Sequence, residues 1–259
     1  MLKELEPQTK TARTLWLMKN YGVSFDLDGV IAYTSQGSIK RYNGKWGLKY
    51  GLLKSTQDLN HYFAMTDWLT EIKSKYPDAI DDPMQEAILI WNDEGIQRNA
   101  PLEQGIIALL RLMYVHQINP YELTSRPFNT KDATEYWLRT KFSRFGDLTD
   151  RLHMQSGSNL NPEFKADRAE KLGVLFHFED SGLHAEKIAE RGIIVGLVHQ
   201  PWNQDYFPTN PLIVRPTKYQ GRSEIIRTFL TINDFVAEKP DIIDKLIESH
   251  NLDTESFEV

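Results

Sequence analysis

The chain has 259 residues, 41% of them hydrophobic and 25% charged, a globular composition with length for one large domain or for a domain carrying an insertion. It has no cysteine, so it has no disulfide framework, no thiolate zinc site and no cysteine nucleophile, as suits a reducing cytoplasm, and no apolar run approaches the roughly 20 residues that span a bilayer. The net charge of −6 resides in residues 233–259, which hold eight acids and two lysines, so residues 1–232 are near neutral and lack the basic footprint of a protein that binds long nucleic acid.

The first ten residues are polar and mixed in charge, unlike a signal peptide. Tyr21, Val23 and Phe25 then fit a buried strand that ends at Asp26-Leu27-Asp28-Gly29. Carboxylates do not belong in a core, so two of them at a strand exit call for a cation or a reaction. Residues 34–99 carry helical patterns at 58–74 and 83–91 but no strand, and they are too long for a loop. They predict a mainly helical cap beside the exit of the first strand.

From residue 100 onward, strand and helix patterns alternate, as a parallel α/β fold requires. A helix is expected at 102–113, then a strand at 118–123 ending in Thr124-Ser125-Arg126-Pro127, a helix at 130–142 and a short strand at 152–154. Asn161-Pro162 opens a helix at 163–172. A strand at 174–178 ends in Glu179-Asp180, and a helix at 185–191 is stopped by Gly192. The pure Ile/Val/Leu run at 193–198 suits a sheet centre buried on both faces, and 212–214 adds a last short strand. Ile242, Ile243, Leu246 and Ile247 recur at helical spacing in the acidic tail. The predicted architecture is a Rossmann-like parallel sheet flanked by helices. Its core comprises residues 1–33 and 100–232, its cap 34–99 and its tail 233–259.

Four elements thus stand in order at strand exits or a helix start: Asp26-x-Asp28, Thr124-Ser125-Arg126, Lys165 and Glu179-Asp180. Singly each has an ordinary reading. Asp26 and Asp28 fit a turn and cap, Thr124-Ser125 a turn, and Glu179-Asp180-Ser181 the cap of the next helix, while Lys171 rivals Lys165. Together, with a cap-sized insertion after the first, they resemble the four motifs of the haloacid-dehalogenase (HAD) superfamily over roughly residues 21–203. Residues 123–127, 165–180 and 192–203, the last ending in Gln200-Pro201-Trp202-Asn203, resemble its 5′(3′)-deoxyribonucleotidase-like branch. Lys165 is followed by Ala166-Asp167, unlike the Lys-Pro-x-Pro of the phosphoglucomutase-like branch.

The resemblance implies a phosphomonoester hydrolase. In it Asp26 is the nucleophile that forms an aspartyl-phosphate, and Asp28 is the general acid and base. Thr124, Ser125, Arg126 and Lys165 contact the phosphoryl group. Mg²⁺ is held by Asp26, Asp180, the carbonyl of Asp28 and, through water, Glu179. For Arg126, pairing with a nearby acid is the equal alternative.

No acid lies between Asp28 and Asp58, where Lys40, Arg41, Lys45, Lys49 and Lys54 interleave with Tyr42, Trp46 and Tyr50. That segment reads either as a lid over a nucleotide or as a solvated basic face with its aromatics packed beneath. Trp68, Trp91 and Trp202 read as core residues. The expected substrate is a small phosphorylated molecule, a nucleoside monophosphate first. The alternatives are another phosphorylated metabolite, a polynucleotide 3′-phosphate, or a non-catalytic binding module on the same fold.

Overall fold

Short Val-, Ile- and Phe-rich segments pair side by side in this computed structural model, which describes residues 9–155 and 161–255. They are β1 (Val23–Phe25), β2 (Tyr121–Pro127), β3 (Leu152–Gln155), β4 (Phe176–Glu179), β5 (Ile194–Leu197) and β6 (Ile213–Val214). All neighbours run parallel, in the order β3-β2-β1-β4-β5-β6. β1 is therefore the switch point. The chain builds outward from it to β2 and β3, then crosses back so that β4 pairs with its other edge. In such sheets ligands bind in the crevice at the carboxyl ends beside the switch.

Twelve α-helices are found among the described residues: α1 (Lys10–Tyr21), α2 (Thr34–Tyr42), α3 (Leu48–Tyr50), α4 (Ala64–Lys75), α5 (Pro83–Trp91), α6 (Glu94–Asn99), α7 (Ile106–Val115), α8 (Lys131–Phe142), α9 (Pro162–Lys171), α10 (Gly182–Ala189), α11 (Glu224–Glu238) and α12 (Pro240–Glu255). Ala166 and Ala169 of α9 and Ala185 and Ile188 of α10 cover one face of the sheet, against Leu123, Val195 and Leu197. Met18 of α1, Leu109 of α7, Trp137 of α8 and Phe229 of α11 cover the other, against Val23, Phe25 and Phe178. No described helix is long and apolar enough to cross a membrane.

The segment after β1 folds as helices alone, around its own cluster of Ile39, Tyr42, Trp46, Met65, Leu69 and Ile90. Its two ends are tied together. Tyr33 N–H donates to the carbonyl of Pro101 at 2.8 Å, and Glu103 N–H donates to that of Ile31 at 2.9 Å.

Two readings need correction. Tyr21 ends α1 rather than opening a strand, because the chain turns at Gly22 before β1 begins. α1 itself carries no strong apolar stripe, but Leu15, Leu17 and Met18 bury against the core. Residue 233, read as the start of the tail, lies inside α11, where Ile225, Phe229, Ile232 and Val236 form one buried face. α12 then docks on the same core through Ile243, Leu246 and Ile247. Residues 1–8, within the stretch read as unlike a signal peptide, and residues 256–259 of the acidic tail lie outside the described residues.

Candidate active site

The apolar side chains of β1 hold it between β2 and β4, so the first polar residue past its end, Asp26, emerges at the switch point. Its N–H is fixed to the carbonyl of Phe178 on β4 at 2.9 Å. β4 delivers Glu179 and Asp180 beside it, and β2 delivers Thr124, Ser125 and Arg126 from the other side. α9 starts at Asn161, whose side chain accepts from Glu163 N–H, and its first turn sends Lys165 inward. Lys165 is 1% exposed, and its Nζ sits 2.9 Å from Asp26 Oδ1 and 2.8 Å from Glu179 Oε2. Lys171, the rival lysine, stands at the last turn of α9.

Glu179 is saturated. Its Oε1 accepts the N–H groups of Asp180 and Ser181, both at 3.1 Å, and its Oε2 accepts from Lys165 and from His177 Nε2 at 3.2 Å. An ionised carboxylate has about four acceptor sites. Ser181, not Glu179 or Asp180, caps α10, accepting from His184 N–H. Asp180 Oδ2 accepts from the indole N–H of Trp202 at 2.9 Å, and its carbonyl accepts from Asn203 Nδ2 at 2.7 Å.

Carboxylate oxygens of Asp26, Glu179 and Asp180 lie within 4.8 Å of one another, all buried. Burial works to lower the Lys165 ammonium, but the charges of Asp26 and Glu179 outweigh it and its pKa rises. Burial works to raise Glu179, yet Lys165, the hydrogen bond from His177 and the neighbouring His184 hold it well below the usual carboxylate range. The single lysine charge is thereby spent. Burial, opposed by Lys165 and reinforced by Glu179 and Asp28, pushes Asp26 up to about 8. Burial, with Glu179 and Asp26 adding, likewise pushes Asp180 well above its ordinary value. Two acids short of a counter-charge, in a cleft of hard oxygen donors, fit a divalent cation.

Asp28 and Arg126 face each other across the cleft. Arg126 Nε donates to Asp28 Oδ2 at 2.9 Å and its Nη2 to Oδ1 at 2.7 Å, while Nη1 reaches Thr134 Oγ1 at 3.1 Å. Burial works to raise Asp28, and the bidentate guanidinium overrides it, so the net shift is downward. Of the two readings of Arg126, pairing with an acid is the one found here. Thr124 and Ser125 line the cleft. Ser125 Oγ is buried with no hydrogen-bond partner, and Thr124 Oγ1 accepts from Arg126 N–H at 3.2 Å.

The helical segment roofs the cleft with Phe63, Met65, Met84, Ile88 and Trp91, joined by Trp202. Trp91 and Trp202, read as core residues, thus face the site, whereas Trp68 is buried in the segment's own cluster. Lys40, Arg41, Lys45, Lys49 and Lys54 do not line the cleft. Lys45 pairs with Glu86 at 2.7 Å, and Tyr42 and Trp46 are buried beneath, so the solvated-face reading describes this stretch. Sequence reasoning missed His177, Trp202 and Glu122. Glu122 is fully buried on β2 with neither oxygen hydrogen-bonded, and burial followed by the charge of Asp26 drives its carboxyl well above the usual range. A charged residue in the middle of an apolar run was the available signal for Glu122.

Gly29 is required by its surroundings. Its φ is +75°, and a Cβ there would lie 2.2 Å from Asp180 Oδ2 and 2.9 Å from Trp202 Cζ2. Gly29→Ala is expected to cost more than the roughly 1–2 kcal/mol of left-handed strain, because the Asp180–Trp202 hydrogen bond must also break. Urea denaturation reads the first effect and the Trp202 indole N–H resonance the second. An unmoved resonance would contradict this packing.

No family model and no curated protein matches the sequence. Solved structures do match the fold. Mycobacterium tuberculosis Protein Tyrosine Kinase A aligns with a TM-score of 0.50 at 14% identity, over 80% of this chain and 96% of that one. A hydrolase from Streptococcus pneumoniae TIGR4 aligns at 0.48 and 14%, over 71% and 95%. A HAD family hydrolase from Deinococcus radiodurans R1, with bound phosphate and sodium, aligns at 0.46 and 16%, over 68% and 79%. The six-stranded parallel sheet flanked by helices is a Rossmann-type α/β fold.

Proposed function

We propose that this protein is a Mg²⁺-dependent phosphomonoester hydrolase working through an aspartyl-phosphate on Asp26, with residues 34–99 as its cap and nucleoside monophosphates as its substrates. The observation that carries the reading is Lys165 Nζ held between Asp26 Oδ1 and Glu179 Oε2 at the switch point of the sheet. That geometry aims one nucleophilic oxygen and one fixed positive charge at the same small volume.

In the first half-reaction an Asp26 oxygen attacks phosphorus, and the bond from phosphorus to the leaving oxygen breaks. The leaving oxygen takes a proton from Asp28. In the second half-reaction water attacks the same phosphorus, Asp28 receives its proton, and the Asp26 carboxylate is released with inorganic phosphate. Proton transfer of this kind contributes typically ~10²–10⁴-fold. The Arg126 pair keeps Asp28 ionised in the substrate-free site, which suits the second half-reaction. For the first, the proton that Asp28 passes to the leaving oxygen must arrive with the substrate as its phosphate monoanion. Lys165 stabilises negative charge on the transferring group. The Ser125 hydroxyl, buried and unpartnered, offers a hydrogen bond to a phosphoryl oxygen, and Thr124 stands beside it. Asp26, Asp180 and the carbonyl of Asp28 would hold the Mg²⁺, which when bound screens carboxylate from phosphate. Glu179, already saturated, holds Lys165 in place.

Support for a nucleoside comes from the cap wall. Phe63, Met84, Ile88 and Trp91 present flat and apolar surface, and no residue of the cap lining the cleft is an acid, a lysine or an arginine. Such a wall favours a planar, uncharged group over a polyhydroxylated or second anionic one. A panel of phosphorylated metabolites with Mg²⁺ tests this. Nucleoside 5′- or 3′-monophosphates are expected to exceed sugar phosphates in kcat/KM by about tenfold or more, and a sugar phosphate at the top of the panel would contradict it.

The pH dependence of metal binding follows from the raised acids. Asp26, with its pKa near 8, keeps its proton in the folded protein over a range where the unfolded chain has lost it. The metal-free protein therefore loses stability as pH rises from the ordinary carboxylate range to about 8. Mg²⁺ must displace that proton. Thermal shift assays should show a larger Mg²⁺-induced rise in Tm at pH 8 than at pH 5.5, and equal rises would count against Asp26 as a ligand.

A further inference from the structure

Two buried side chains unused by this chemistry stand directly behind Glu179. Ser24 of β1 and His177 of β4 are register partners across the sheet, and neither has exposed surface. Ser24 Oγ lies 2.8 Å from His177 Nδ1, and His177 Nε2 lies 3.2 Å from Glu179 Oε2. The direction of this chain follows from chemistry. An ionised carboxylate only accepts, so Nε2 carries the hydrogen. In a neutral imidazole the other nitrogen is then a bare lone pair, and the Ser24 hydroxyl donates to it. Besides Lys165, His177 is the one side chain within hydrogen-bond distance of Glu179 among the described residues, since His184 Nδ1 stands off at 3.7 Å.

We propose that Ser24 and His177 form a positioning pair that fixes the Glu179 carboxylate and, through it, the place of Lys165 Nζ against Asp26. Two backbone N–H groups hold Glu179 Oε1, but Oε2 meets only His177 and Lys165, and the lysine is a point charge on a flexible stem. His177 is a rigid ring rooted in the central strands, so it ties Glu179 to the sheet rather than to the lysine. Glu179 sets the ring tautomer and Ser24 holds the ring in place: without its hydroxyl, Nδ1 is a buried lone pair with no donor, and the imidazole loses its anchor on β1. Residues that orient a functional group in this way typically cost 10–100-fold when removed. The role rests on the phosphatase reading of the site.

The test uses hydrolysis of p-nitrophenyl phosphate with Mg²⁺, alongside nitrogen NMR of the His177 ring. Ser24→Ala is expected to lower kcat about 10–100-fold with little change in KM. Ser24→Thr and Ser24→Val have the same shape and differ in the hydroxyl, so Thr should recover at least tenfold of the kcat that Val loses. In the wild type the His177 hydrogen should reside on Nε2. Equal kcat for Thr and Val, an Ala variant within twofold of wild type, or a hydrogen on Nδ1 would each overturn the pairing while leaving the phosphatase reading intact. A wild type that leaves every phosphate monoester untouched would overturn the phosphatase reading and the positioning role together.

Discussion

Asp26→Asn is expected to lower turnover of any phosphomonoester by roughly 10⁴-fold or more, the scale on which loss of a nucleophile is felt. The same change should not weaken the fold. Asparagine keeps an oxygen for Lys165 Nζ, 2.9 Å from the present Oδ1, and removes an acid that burial and its neighbours hold up to about 8. At pH 8 the metal-free variant should therefore melt at or above the temperature of the wild type. Mg²⁺ should raise its Tm less than it raises that of the wild type, because one of the ligands is gone. The sharp separation of activity from stability is the point of this experiment. A variant that retained wild-type turnover would remove Asp26 from the chemistry.

Lys165→Met should show the opposite pattern, losing stability as well as activity. Methionine fills much of the same volume but leaves Asp26, Glu179 and Asp180 facing one another with no cation, and Glu179 fully buried. Removing one partner of a buried ion pair typically costs about 3–5 kcal/mol. The cost should depend on pH with a definite sign. The folded protein can relieve the repulsion by protonating these carboxylates, so the variant should recover stability as pH falls from 8 toward 5. Urea denaturation across that range checks it, and a loss below about 1 kcal/mol at pH 8 would mean that Lys165 is not the charge that organises the site.

The strand exits were legible in the sequence for a physical reason. Asp26 and Glu179-Asp180 each follow an apolar run, and a parallel sheet puts the ends of such runs side by side, whereas Thr124-Ser125-Arg126, expected at a strand exit, lie within β2. Lys165 could be separated from Lys171 only by resemblance, yet the difference between them is one of position along α9: the first turn points at the sheet end and the last turn does not. Arg126 shows where a single sequence stops. Its partner Asp28 is 98 residues away, and only the pairing of β1 with β2 brings them together. His177 and Ser24 are 153 residues apart and were masked by the same feature that makes them matter, since buried polar residues inside apolar strands break the pattern without saying what they touch. The basic and aromatic stretch around Lys45 and Trp46 carried two readings because helical spacing buries one set and exposes the other in either case. The direction of the buried face decided it, toward the segment's own core. The boundary at residue 233 failed because charge composition changes there while the helix does not.

Acid-quenched mass spectrometry during turnover of p-nitrophenyl phosphate with Mg²⁺ reaches the centre of the mechanism most directly. The peptide containing Asp26 should carry the mass of one phosphoryl group in the wild type and none in Asp26→Asn. Steady turnover with no phosphorylated Asp26 peptide, or with the phosphoryl group on another residue, would contradict a covalent mechanism through Asp26.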